Sequence, residues 1–166
     1  MTLSDVASLG NIIAAIAVVL SVIYLSRQVR QTNLLARSNA RQRMVEQTHE
    51  ELYRFASDPD LRRFFRREST LSSDDQAKLH FFLVAAMRQR EWEWFQYKDG
   101  VIGRDVYCAY HEVIALHLGT PQTRNWWATV GRVGFNQEFV NDVDALLTNR
   151  PLTDYFEKIC NFEAID

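Results

Sequence analysis

The chain has 166 residues, 47% of them hydrophobic, and a formal net charge of −2, which suits a single domain beyond a terminal segment and argues against a nucleic-acid binder. Six glycines and three prolines disfavour both long disordered linkers and a turn-rich β fold. The two cysteines, Cys108 and Cys160, form no CxxC, so neither a disulfide framework nor a zinc ribbon is suggested and free thiols in a reducing compartment suffice.

Val6 to Leu25 carries no charge over 20 residues, enough for a helix to cross a hydrocarbon core about 30 Å thick. A cleavable signal peptide needs a positive leading region, and MTLSD has none. A buried core helix is the stronger rival, because the strictly apolar stretch Ile12 to Leu25 is short for a span. A helix that is apolar on every side must be buried somewhere, however, and Ser8, Gly10, Asn11 and Ser21 are tolerable in lipid. A transmembrane helix is therefore expected. Arg27, Arg30, Arg37, Arg41 and Arg43 follow it before the first acid, Glu46, and no basic residue precedes it. That asymmetry predicts an outside N-terminal tail of about eight residues and a cytoplasmic C-terminal side.

Gly10, Ala14, Ala17 and Ser21 recur at spacings of 4, 3 and 4, which gathers them on one helical stripe. Small residues let membrane helices approach closely, and one span has no second helix of its own to meet. The stripe predicts a homo-oligomer or another membrane protein as partner. No Gly or Pro interrupts the chain from Leu25 to Ser57, so the helix is expected to continue as a juxtamembrane stalk, 26–57. Continued at the same spacing, the stripe passes Tyr24, Gln28, Gln31, Leu35, Ser38, Gln42, Val45, His49 and Leu52, giving a polar seam that suits a hydrated lumen or a register-setting layer.

Residues 58–166 are expected to form a helical domain. Asp58-Pro59 opens a short helix, 59–67, that bears Arg62, Arg63, Phe64, Phe65, Arg66 and Arg67. With Arg27 and Arg30, these arginines are candidates for contact with anionic lipid headgroups. Ser69 to Asp75 reads as a turn, with a capping box at Ser73 and Gln76. A long helix then runs to Lys98 and stops at Asp99-Gly100. Its core stripe, which includes Leu83, Met87 and Trp94, carries one embedded charge, Arg90. With Glu93 this residue is expected either to form an internal ion pair or to contact a ligand or subunit, since an unpaired buried charge costs several kcal/mol. Further helices are expected over 104–118, from Thr120-Pro121 through Trp127 to Gly131, from Asn136 to Leu147, and from Thr153 through Tyr155, Phe156, Ile159 and Phe162. No segment alternates as a strand does, so the fold class is all-α: a transmembrane helix continuing into a stalk, then a cytoplasmic helical bundle.

GNIIAAIAVVLSVIYLSRQVRQTN at the start, the mid-chain helix ending FQYKDG, and NWW followed by FNQEFV together resemble a family of small bacterial membrane-anchored proteins. The resemblance implies an anchor in a bacterial inner membrane and a helical cytoplasmic domain. It implies no activity.

Nucleotide-binding, nucleophile-elbow and HExxH motifs are all missing. Glu46-x-x-His49 has the spacing of a di-iron ligand pair, but a second such pair would have to come from a symmetric copy. Cys108 and His111 stand three apart, with His117 further on, and two ligands or a thiolate–imidazole pair would still lack a convincing third group; a buried cysteine is the simpler expectation. The chain is thus expected not to be an enzyme, and to need no metal or other cofactor. Its expected role is a membrane-anchored homo-oligomeric scaffold that contacts the lipid bilayer and itself, with no nucleic acid. The alternatives are a pore along the Gly10–Ala14–Ala17–Ser21–Gln28–Gln31 stripe and, resting only on scattered His and Glu, a metal-dependent enzyme.

Overall fold

A computed structural model describes residues 3–66, 70–152 and 158 of the chain, and the side chains of all of these except 3–7 and 9. The expected C-terminal helix from Thr153, the turn residue Ser69, Cys160 and Arg67 lie outside the described residues. Among the described residues there is no strand, and the fold is all-α.

Helix α1, Leu3–Ser57, is unbroken over 55 residues, as expected where no Gly loosens the backbone and no Pro removes a donor between Gly10 and Pro59. It is followed by α2, Pro59–Phe64; α3, Ser73–Lys98; α4, Arg104–His117; α5, Pro121–Trp126; a wider π turn over Trp127–Gly131; and α6, Gln137–Thr148. Contacts divide the chain into two units, Met1–Ala40 and Arg41–Asp166.

In the first unit every residue from Gly10 to Leu25 is exposed. Within it an 18-residue window averages a hydropathy of 2.0 with none of its residues buried. This one N-terminal helix is long and apolar enough to span a membrane.

In the second unit the last turns of α1 pack through Met44, Thr48, Glu51 and Phe55, a run at 4–3–4 spacing. Met44 is fully buried, while Val45 and Leu52 remain about half exposed or more. The packed face therefore lies one residue, about 100° of helix rotation, from the seam continued through Val45, His49 and Leu52. Phe55 meets Phe65 and Phe82 edge to face, each with ring centroids 5.1 Å apart. These rings cap a core of Leu61, Phe64, Leu79 and Leu83, in the geometry aromatic pairs prefer.

The caps explain the helix starts and correct three expected boundaries. Asp58 accepts from the backbone of Asp60 and Leu61, as its position before Pro59 suggests. Helix α2 ends at Phe64 rather than at 67, because Phe65 leaves the helical conformation to enter the core. The capping box of α3 is Ser72 with Asp75, one residue earlier than Ser73 with Gln76; Asp75 also meets Arg63 at 2.8 Å, which fixes the choice. Helix α3 ends at Lys98, and Gly100 takes the left-handed conformation (φ +70°) that favours glycine. Helix α4 closes at His117 rather than 118.

The α-helix from Thr120-Pro121 also stops early, at Trp126. There the backbone widens so that Gly131 lies against the Trp126 ring, where a Cβ would approach to 2.5 Å. The Trp126 indole donates to His80 Nδ1 at 3.0 Å. Helix α6 is held from both ends. Glu91 accepts from the Asn136 backbone at 2.6 Å. At the other end Arg124 donates to the carbonyls of Leu118, Leu147 and Arg150, closing the C-terminal ends of α4 and α6 together.

Candidate functional site

Three helices of the second unit bring charged side chains into the interior at one place. Glu51 comes from α1, Arg90 and Glu93 from α3, and His117 from the last turn of α4. Arg90, Glu93 and His117 are each 3% exposed or less. Arg90 reaches Glu93 at 3.2 Å through Nη1 and Glu51 at 3.3 Å through Nη2. The second oxygen of Glu51 is hydrogen-bonded to His117 Nε2. One carboxylate thus holds a guanidinium on one oxygen and an imidazole on the other. Gln89 adds a hydrogen bond to Glu93 at 2.9 Å.

Charges this deep survive only when paired and hydrogen-bonded. Burial alone pushes the Glu51 carboxyl upward, but its bond to His117 and the charges of His117 and Arg90 outweigh that and hold it below the usual range. Glu93 goes the other way: burial raises it, and Arg90 and Gln89 offset only part of the rise. Two polar atoms in the cluster have no partner among the described residues, Arg90 Nε and His117 Nδ1. An unsatisfied buried donor or acceptor costs about 1–3 kcal/mol, so their retention in a packed interior calls for a reason.

The cluster borders a cleft of about 700 Å3, within the range of small-molecule sites. Its wall is apolar, made by Leu52, Phe55, Phe65, Val113 and Leu116, and Arg90, His117, Glu51 and Arg62 supply the charged groups along it. Arg62 donates to the Phe55 carbonyl at 3.0 Å and to that of Ala56, closing the C-terminal end of α1. The Tyr110 ring lies over the Arg90 guanidinium, 5.9 Å away. An imidazole with one nitrogen on a carboxylate is also how a general base is oriented, but covalent catalysis needs a nucleophile beside it. Thr48 and Tyr110 supply the hydroxyls of the lining, and that of Thr48 is donated to the Met44 carbonyl. Paired charges set against an apolar wall are an arrangement that can hold a small molecule.

Arg90 and Glu93, singled out from the sequence, are at the centre of the site. Glu51 and His117 were not joined to them. Glu51 follows Glu50 in a polar stretch and looks solvated, and only the inward register Met44–Thr48–Glu51–Phe55 marks it. The other expected residues are placed elsewhere. Gly10, Ala14, Ala17, Ser21, Gln28 and Gln31 are exposed along α1, as are Arg27 and Arg30. The Ser21 hydroxyl donates to the Ala17 carbonyl at 2.8 Å. In the arginine–phenylalanine run Phe64 and Phe65 are core, Arg62 caps α1, and Arg63, paired with Asp75, is exposed together with Arg66. The backbone carbonyl of Arg66 accepts from Gln122.

Cys108, expected to be buried, is exposed, because the inward face of α4 at that level is taken by Tyr107. The Tyr107 hydroxyl donates to Asp142 at 2.6 Å, and the same Asp142 oxygen lies 3.1 Å from His111 Nε2, which places His111 with Asp142. Glu46 and His49 belong to no cluster of metal-ligating side chains among the described residues. No protein-family model, curated protein or solved structure matches the chain.

Proposed function

We propose that this chain is a single-span, membrane-anchored protein that works by binding, with its second unit on the cytoplasmic side of a bacterial inner membrane. The observation that carries the reading is the exposure of Gly10 to Leu25 on every side of a continuous helix. A helix apolar all round needs an apolar surrounding, and the fold supplies none to these residues. Arg27 and Arg30, both exposed, stand where basic residues meet anionic headgroups, each worth on the order of 1 kcal/mol. The basic bias after the run supports the orientation.

The small stripe Gly10–Ala14–Ala17–Ser21 supports assembly of several copies, each providing the close-packing partner that the others lack. Alkaline carbonate extraction of membranes containing the full chain tests the anchor: the protein is expected in the pellet, and recovery in the supernatant would overturn the reading. Cross-linking in the same membranes tests assembly. The multimer band is expected to fade in Ala14→Leu and Ala17→Leu, and an unchanged band would remove the stripe from the interface.

A further inference from the structure

We propose that the cleft between the end of α1 and α4 is a binding site for a single-chain amphiphile with a carboxylate head, of the long-chain fatty-acid class. The inference is independent of the membrane anchor, since every group it uses lies in the second unit. Three observations converge on it. The first is shape and polarity: about 700 Å3 walled largely by Leu52, Phe55, Phe65, Val113 and Leu116 and bordered by the Glu51–Arg90–His117 cluster is room for a flexible alkyl chain with a polar head.

The second is charge. Arg62, Arg90 and His117 stand against two carboxylates, Glu51 in the lining and Glu93 paired to Arg90, so the fixed charge favours an anion over a cation. The third is the unmet hydrogen bonding. Arg90 Nε and His117 Nδ1 are buried without a partner, and both side chains are held side by side on the two oxygens of Glu51.

A carboxylate satisfies both nitrogens: one oxygen accepts from Arg90 Nε–H and the other from Nδ1–H of the His117 imidazolium, whose Nε2–H is held by Glu51 on its other side. A fatty alcohol has a single oxygen and no comparable charge, and a phosphodiester with two chains exceeds a cleft of this size.

The test is photo-cross-linking of the full chain in phosphatidylcholine nanodiscs with a diazirine-bearing palmitic acid, mapped by peptide mass spectrometry. Label is expected on Leu52, Val113 or Leu116 as well as on the apolar run. Palmitate should displace the cleft label at about one-tenth of the concentration that hexadecanol requires, the ratio expected for 1.4 kcal/mol of head-group recognition. Ala109→Trp, placed at an exposed position on the cleft rim, should abolish cleft label and spare that on the run. Label confined to the run, or cleft label removed equally by hexadecanol, would overturn the proposal. The hexadecanol comparison is made on the unaltered chain and does not depend on the folding of the variant.

Discussion

Glu51 and His117, 66 residues apart in the chain, meet side chain to side chain and tie the end of α1 to the end of α4. Because Glu51 also meets Arg90, a single carboxylate links three helices. Its removal leaves a buried guanidinium and an imidazole short of their shared partner. Glu51→Ala is expected to destabilise the second unit by about 3 kcal/mol, on the order of 10 °C in Tm. Thermal unfolding followed by circular dichroism measures it. A double-mutant cycle with His117→Ala should return a coupling of about 1 kcal/mol or more, as for residues in one network.

Glu93 provides the pH dependence. Its carboxyl is raised in the fold, by burial first, with Arg90 and Gln89 opposing and the Glu51 charge adding to the rise. A group raised on folding contributes stability at low pH that is lost as pH climbs through its folded value. Glu93→Gln removes that titration and keeps the shape. The variant is therefore expected to gain Tm relative to the parent at pH 8, with the gain shrinking as pH falls toward the ordinary glutamate value of 4.5. A gain that grows toward low pH would mean that the ionised form is the one the fold favours.

Gly131 ends the π turn that follows α5, and the Trp126 ring occupies the space a side chain would need. Gly131→Ala is expected to cost about 1–3 kcal/mol through overpacking. Trp126→Leu in the same chain should return part of that loss by clearing the ring. If alanine costs the same with and without the indole, the close approach is not the cause.

Much of this architecture is legible from local chemistry. The Asp58-Pro59 and Thr120-Pro121 starts and the Asp99-Gly100 stop depend on residues within a turn of the boundary, and they fall where the sequence puts them. Arg90 and Glu93 were visible because charges interrupt an aromatic stripe at three-residue spacing. The rest of the site was not visible, for a physical reason. Glu51 and His117 belong to the interior only because their helices meet in the fold, and nothing within a turn of either one announces a partner 66 residues away. The same holds for Arg62 and Arg63, whose surroundings in sequence suggest a basic surface, while the α1 carbonyls and Asp75 that engage them are brought by the fold. The 4–3 stripe of the apolar run predicts nothing about the inward face at Met44, because each face is set by its own packing and not by continuation along the helix.

The most direct measurement of the central claim, an anchored chain with its second unit in the cytoplasm, uses the exposed thiol of Cys108. In a Cys160→Ser chain expressed in bacterial spheroplasts, Cys108 is labelled with a membrane-impermeant maleimide before and after permeabilisation. The account predicts protection in intact spheroplasts, labelling once the membrane is opened, and recovery of the protein with the membrane fraction. Labelling of Cys108 in intact spheroplasts, or recovery of the protein in the soluble fraction, would contradict it.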